Sequence, residues 1–232
     1  MHNTHAAAAS DPDSDSDKDA VDPACCAIDF FAMNFTTSTT RPVTNTLTPR
    51  YRKAVEYDID LNRKPINIAP TLEDKVDICQ NAIDLAVSLG VDQPKVAILA
   101  AVETVTSKMP ATIDAAALCK MAERGQITGG ILDGPLAFDN AISPEAAAIK
   151  GIKSEVAGRA QILVVPDLEA GNMLAKNLAF LAKADTAGIV LGARVPIILT
   201  SRADSVRSRM ASCAVAVLYA DARRKSSRLP AA

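Results

Sequence analysis

TLEDKVDICQNAIDLAVSLGVDQPKVAILAA, residues 71–101, combines the pattern of an amphipathic helix with that of a buried strand. Thr71 can start the helix, because its hydroxyl can accept a hydrogen bond from the otherwise unpaired amide of Asp74. Apolar residues then recur at helical spacing as far as Gly90, a residue type that favours a helix end. The apolar run 96–101 is short and continuous, which is typical of a strand covered on both faces.

The same alternation continues along the chain. Ser143 and Pro144, followed by an acidic residue, favour a further helix start, since serine caps and proline suits the first turn. We therefore expect an α/β protein, a three-layer α/β/α fold with a mostly parallel sheet covered by helices on both faces. The remaining strands are predicted at 127–132, 161–165, 187–191 and 196–200, and the remaining helices at 112–124, 171–182 and 202–219.

Five regions are predicted from the changes in composition. An acidic stretch with almost no apolar residues predicts a disordered tail at the N-terminus. A threonine-rich segment follows, to which no stable fold can be assigned. The regions are the acidic tail 1–27, the uncertain segment 28–64, the α/β domain 65–200, a terminal helix 201–222 and a frayed basic tail 223–232.

Composition excludes several classes of function. The net charge of -2 argues against nucleic acid or an anionic membrane as the main partner. No apolar run is long enough for a transmembrane helix, and the N-terminus does not resemble a secretory signal. Both histidines, His2 and His5, lie in the acidic tail, which excludes Ser-His-Asp triads and histidine zinc sites from the folded part. The five cysteines show no metal-ligand spacing and no disulfide pattern, so a reducing cytoplasm is expected.

Ligands of parallel α/β sheets bind at the carboxyl ends of the strands, which indicates four loops. The strongest of them is Thr200-Ser201-Arg202, where a strand is expected to end and a helix to begin. Free amides and the helix dipole would attract an anion there, and Arg202 adds a planar cation. The structural alternative is that Ser201 only caps its helix and Arg202 is solvated. The other loops are 133–135, 166–172 and 192–193.

The two longer motifs each allow two interpretations. In loop 166–172, Gly171 can bring the backbone close to a ligand and Asn172 can bind an amide, whereas Asp167 and Glu169 can equally cap the next helix. Asp133-Gly134-Pro135, together with Asp139 and Asn140, can hold magnesium through carboxylates, but Asp-Gly-Pro is also a common turn. Lys150, Lys153 and Arg159 form either a solvated face or a contact for coenzyme A phosphates.

Four segments together resemble the phosphate acetyl/butyryltransferase family, closest in wording to the branch that contains phosphate butyryltransferases. They are residues 66–70 (INIAP), 133–143 (DGPLAFDNAIS), 165–172 (VPDLEAGN) and 196–205 (PIILTSRADS). The resemblance implies the reversible reaction of an acyl-CoA with phosphate to give an acyl phosphate and free coenzyme A. It also implies the second domain of an isocitrate/isopropylmalate dehydrogenase-like fold, a homodimer, an active site in the interdomain cleft, and no metal or redox cofactor.

The resemblance also assigns roles. Ser201 would hydrogen-bond the coenzyme A sulfur or the reacting carbonyl, and Arg202 would bind phosphate or stabilise the developing oxyanion. The remaining expected substrate-binding residues line the cleft: Asp133, Gly134, Pro135, Asp139, Asp167, Glu169, Gly171, Asn172 and Thr200.

Two departures from the family pattern matter. Where the acetyltransferase branch has an aspartate thought to be the base, this sequence has Ser208, so Asp204 is only a candidate base. The segment before residue 65 does not resemble the long first domain of the family. The alternative expectation is therefore a catalytically silent member that retains dimerisation or coenzyme A binding. In that case the terminal helix would expose an apolar face formed by Val206, Met210, Cys213 and Val217.

Overall fold

The computed structural model describes residues 30–32 and 67–226. Four strands form one parallel sheet in the order β1-β4-β2-β3, with β1 at Phe30–Ala32, β2 at Lys95–Leu99, β3 at Ile131–Leu136 and β4 at Ile162–Val164. The helices are α1 (Leu72–Ser88), α2 (Pro110–Glu123), α3 (Phe138–Ile142), α4 (Pro144–Ile149), α5 (Leu168–Phe180) and α6 (Val206–Ser226). No helix in this part of the chain is long and apolar enough to cross a membrane.

The two faces of the sheet follow from the period of two along each strand. Val96 and Ile98 of β2 pack with the buried side of α1 and α2, whereas Ala97 and Leu99 pack with the α3–α5 side. The residues of β4 divide between the two clusters in the same way. Successive side chains of a strand point to opposite faces, so both faces are covered. The predicted three-layer α/β fold with a parallel sheet is confirmed; its kinship to isocitrate dehydrogenases stays a prediction.

Helix α1 begins as the sequence indicates. The amide of Asp74 donates to Oγ1 of Thr71 at 3.2 Å, and the amide of Thr71 donates to Oδ2 of Asp74 at 2.9 Å. The two bonds form a reciprocal capping box that satisfies amides at the free end of the helix. Ser143 likewise caps α4 by accepting from the amide of Ala146 at 3.2 Å.

The prediction of a strand at 127–132 is wrong in position, because β3 begins at Ile131. Gly129 has a φ of 84°, which excludes it from a strand, and Ile127 is buried in the turn that precedes β3. The motif Asp133-Gly134-Pro135 consequently lies inside the strand and not in a loop after it. Proline is tolerated there because β3 lies at the edge of the sheet formed by the described residues, where a missing amide donor interrupts no second ladder.

Three other features also differ from the predictions: the start of α5, the pairing of β5 with β6, and the bounds of α6. Helix α5 begins at Leu168, so the stretch 168–172 is helical and not a loop. The strands β5 (Ile189–Val190) and β6 (Ile197–Ile198) form a separate antiparallel pair. The segment 191–196 that joins them is too short for a parallel crossover. Helix α6 begins at Val206 and continues to Ser226, so residues 223–226 are helical and not part of a frayed tail.

The proposed regions are described only in part. The acidic tail 1–27, the end of the chain after residue 226 and most of 28–64 lie outside the described residues. Within 28–64, the backbone of β1 pairs in parallel with β4. The terminal helix exposes Val206, Met210, Cys213 and Val217, as predicted.

An ion pair joins α1 to α2 on the face of the sheet that these two helices cover, which we call the α1–α2 face. Nζ of Lys75 lies 2.6 Å from Oδ2 of Asp114, and the Lys75 side chain is only 6% exposed. Replacing the carboxylate would leave a buried ammonium without its counter-charge. We expect Asp114→Asn to lower the free energy of unfolding by about 2 kcal/mol, measured by urea denaturation.

The matched control for this variant is Asp92→Asn, since Asp92 is exposed. Its stability is expected to equal that of the wild type. Equal stabilities for Asp114→Asn and Asp92→Asn would contradict a structural role for the Lys75–Asp114 pair.

Candidate functional site

The carboxyl ends of β2, β3 and β4 meet at one edge of the parallel sheet. The chain leaves β2 toward α2 on one face, but it leaves β3 and β4 toward α3 and α5 on the other face. A crevice forms where neighbouring strands send their connections to opposite faces, and such a switch point is where α/β sheets bind ligands. We call the space beyond the end of β2 the β2 crevice; the loop 100–109 and the first residues after β3 and β4 border it.

Loop 100–109 contributes Glu103, which is absent from the predicted site residues. Its Oε1 accepts a hydrogen bond from Nζ of Lys150 at 2.8 Å and a short one from Nδ2 of Asn140. Nζ of Lys150 also lies 3.3 Å from Oδ2 of Asp139. The rule that selected the other loops applies equally to this one, because it follows the predicted strand 96–101. Lys150 is exposed, as the interpretation as a solvated face states, and it also takes part in an ion-pair network; the contact with coenzyme A phosphates stays a prediction.

The pKa values within this network move in opposite directions. The hydrogen bond from Lys150 lowers the pKa of Glu103, and the hydrogen bond to Glu103 in turn raises the pKa of Lys150. Each partner therefore favours the charged form of the other. The network is an ion pair at neutral pH.

The lowered pKa of Glu103 makes a contribution to stability that depends on pH. Because the pKa is lower in the folded than in the unfolded chain, this contribution is present above the usual value of 4.5 and is lost as the pH falls through the folded pKa. We expect the wild type to be more stable than Glu103→Gln at neutral pH, and the difference to vanish in acid. Urea denaturation of both proteins over a pH series measures this difference, with exposed Glu155→Gln as control. A difference that persists unchanged below the folded pKa would contradict the assignment.

Most of the predicted site residues after β4 cap α5 or lie within its first turns. Oδ1 of Asp167 accepts from the amide of Ala170 at 2.8 Å, so Asp167 is the N-cap, as its structural alternative states. Glu169 and Asn172 are exposed in the first turns of the helix, and Gly171 is buried. These residues lie at the carboxyl edge of the sheet, but on a helix and not in an open loop.

The predicted residues around β3 do not converge on a common point. Asp133 accepts a hydrogen bond from the amide of Gly134 within the strand, at 2.8 Å. A Cβ at Gly134 would lie 2.8 Å from the carbonyl oxygen of Ile98, so only glycine fits against β2. Pro135 is buried, and Asp139 is exposed on α3, where it pairs with Lys150. Among the described residues, no three acidic, cysteine or histidine side chains come together as metal ligands, so the magnesium interpretation gains no support.

Ser201 and Asp204 close a self-contained turn after β6. The amide of Ser201 donates to Oδ2 of Asp204 at 2.6 Å, and the amide of Ala203 donates to Oγ of Ser201 at 3.3 Å. The prediction that a helix begins at Arg202 is wrong, because α6 begins at Val206 and Ser205 accepts from the amide of Ser208 at 3.1 Å. Ser201 therefore caps no helix either.

Arg202 is exposed on this turn next to the partly buried Thr200. In the part of the chain that the structure describes, its guanidinium forms no ion pair or hydrogen bond. The same part of the chain contains no hydrogen bond between the 201–204 turn and the residues of the β2 crevice. The guanidinium is thus free to bind an anion supplied by a ligand.

Two thiols, those of the buried Cys79 and the partly buried Cys119, are poor nucleophiles. Burial raises the pKa of Cys79 to about 12 and that of Cys119 to about 12. Only the thiolate is an effective nucleophile, and these groups remain protonated at neutral pH.

The structure describes an α/β protein whose 201–204 turn exposes the guanidinium of Arg202. Residues 64–217 match the family described as phosphate acetyl/butaryl transferase. The match covers more than half of the chain and spans every turn described above, and the chain belongs to this family.

Curated proteins of similar sequence agree with this membership. The chain is 75% identical over 166 residues to a phosphate acetyltransferase of Rhizobium meliloti, covering 72% of this chain and 52% of that protein. It is 55% identical over 152 residues to a probable phosphate butyryltransferase of Bacillus subtilis strain 168, covering 66% of this chain and 51% of that one. The chain thus spans about half the length of the curated relatives it matches.

Solved structures agree as well. A branched-chain phosphotransacylase from Enterococcus faecalis V583 superposes with a TM-score of 0.62 at 38% identity, covering 66% of this chain and 55% of that one. A phosphotransacetylase from Streptococcus pyogenes gives a TM-score of 0.58 at 32% identity, covering 68% and 47%.

Proposed function

We propose that the chain transfers a short acyl group between coenzyme A and inorganic phosphate. A phosphate oxygen attacks the thioester carbonyl, the carbon–sulfur bond breaks, and the thiolate leaves and takes up a proton. The observation that carries the proposal is the family match over residues 64–217, which includes the 201–204 turn and its exposed Arg202.

Arg202 supplies the positive charge that this reaction needs. A guanidinium can bind two phosphate oxygens at once and can also stabilise the oxyanion that develops on the carbonyl. Ser201 lies beside it and donates its hydroxyl to the sulfur or to the carbonyl. Asp204 is the candidate base, although its Oδ2 already accepts from the amide of Ser201. In this proposal no metal or redox cofactor takes part, since Arg202 meets the need for charge.

The substrates are an acyl-CoA and phosphate, and the active form is a homodimer. We place the protein in the cytoplasm, which agrees with free thiols at Cys79, Cys119 and Cys213.

A thiol-release assay tests the proposal. The purified full chain is incubated with acetyl-CoA or butyryl-CoA, with and without phosphate, and free thiol is measured. Release that depends on phosphate is expected. Absence of release from protein that circular dichroism shows to be folded would contradict the proposal.

The second candidate function is a silent family member that binds coenzyme A or dimerises without catalysis. It is favoured by Ser208, which stands where the acetyltransferase branch has its aspartate. Calorimetric titration with coenzyme A distinguishes the two candidates when combined with the assay. Binding without thiol release would support the silent member.

A further inference from the structure

Asn140 is a buried polar residue whose side chain is only half satisfied. It is fully buried on α3, and its Nδ2 donates to Glu103. Its Oδ1 is buried and has no hydrogen-bond partner among the described residues. An orphaned buried acceptor is unfavourable and rare in native proteins, so the burial of Asn140 calls for an explanation.

The loop 100–109 shows what the Asn140 side chain holds. At one end the amide of Ala100 donates to the carbonyl of Leu136 at 2.9 Å, and at the other end Oγ1 of Thr112 accepts from the amide of Thr106 at 2.9 Å. Between these ends, Val102 and Val105 are exposed. The contact that fixes the middle of the loop is the Glu103 carboxylate, bound to Asn140 and Lys150.

Two different elements therefore hold the loop. Asn140 comes from α3, and Lys150 follows α4 and also pairs with Asp139. The carboxylate of Glu103 faces an amide and an ammonium on that side, and the nearby Asp139 carboxylate lies beyond Lys150. The loop borders the β2 crevice, so these contacts set the position of one wall of that crevice.

We propose that Asn140 and Lys150 are positioning residues that hold Glu103, and with it the loop 100–109, against the β2 crevice in the arrangement that binds acyl-CoA. The inference rests on the proposed function for the identity of the ligand. The position of the loop can be measured without turnover. The positioning role and the proposed function can therefore be tested independently.

Tryptic cleavage after Lys108 reports on the position of the loop. Lys108 is exposed within 100–109, and cleavage there requires the loop to leave its place. We compare the full-length wild type with Lys150→Met, and follow the initial rate by mass spectrometry. Cleavage after the exposed Lys183, remote from the loop, is the internal reference.

The expected result is several-fold faster cleavage after Lys108 in Lys150→Met, with an unchanged rate after Lys183. Lys150→Arg, which can still pair with both carboxylates, is expected to restore the wild-type rate. Lys153→Met removes an exposed lysine without an ion pair among the described residues and is expected to behave as the wild type. Equal cleavage rates in the wild type and Lys150→Met, or an equal increase in Lys153→Met, would overturn the proposal.

A kinetic readout then connects the loop to the substrate. Where the wild type transfers acyl groups, Lys150→Met is expected to raise KM for acyl-CoA several-fold with a smaller change in kcat, and Lys150→Arg to reverse this. An unchanged KM together with faster cleavage would overturn the role in substrate binding. An inactive wild type would contradict the proposed function alone, since the cleavage comparison would still decide whether Lys150 holds the loop.

Discussion

Arg202→Ala is expected to lower kcat/KM for acyl transfer by about 100- to 1,000-fold, the size of effect seen when one preorganised oxyanion donor is removed. The guanidinium is exposed, lies on the 201–204 turn, and has no protein partner among the described residues. Its charge is therefore available to the phosphate or to the developing oxyanion. Kinetics with butyryl-CoA and phosphate measure the loss.

The matched control is Arg209→Ala. Arg209 is also exposed, lies close by in the sequence, and carries the same charge, but it stands on α6 beyond the turn. It is expected to retain wild-type kinetics and to unfold at the same temperature as Arg202→Ala. Unchanged turnover in Arg202→Ala, or an equal loss in both variants, would contradict the assignment of the site.

Ile83→Ala is expected to destabilise the fold by about 4 kcal/mol, because truncating a buried isoleucine loses apolar burial and leaves a cavity. The side chain is 1% exposed and lies where α1 packs on the sheet. Urea denaturation followed by circular dichroism measures the change.

The control carries the same substitution on a helix surface. Ile113 on α2 is 45% exposed, and Ile113→Ala is expected to change the stability by much less. Comparable losses in the two variants would contradict the position of the core given by the α1–α2 face.

The sequence determines the layers because the signals that define them are local. The capping box at Thr71, the cap at Ser143 and the continuous apolar run of β2 are each contained within a few residues, and all three are confirmed. The position of β3 is not predictable in this way. Gly134 and Pro135 have the local chemistry of a turn, and only the edge position of the strand makes them acceptable within it.

In the candidate site, too, residues in a local motif can be predicted, whereas contacts between residues distant in the sequence cannot. Ser201, Arg202 and Asp204 can be selected from the motif, although which serine caps α6 depends on competition between Ser201 and Ser205. The contacts of Glu103 cannot be selected, because its partner Lys150 lies 47 residues away. Neither residue stands in a motif. Their pairing depends on the tertiary fold, which brings the residue after α4 to the loop after β2.

The role of each carboxylate follows from its partners. Asp167 caps α5 and Asp114 neutralises Lys75, so both are occupied with structure. Asp204 is partly buried, its Oδ2 accepts from the amide of Ser201, and it belongs to the same 201–204 turn as Arg202. Asp204 stays the candidate base of the proposal.

The most direct measurement quantifies both products of a single incubation. The full chain is mixed with butyryl-CoA and phosphate, free thiol is determined, and acyl phosphate is trapped with hydroxylamine as the hydroxamate. Equal amounts of thiol and hydroxamate, both dependent on phosphate, are expected from acyl transfer to phosphate. Thiol released without hydroxamate would mean that water and not phosphate accepts the acyl group, and it would contradict the proposed reaction, as would the absence of both products.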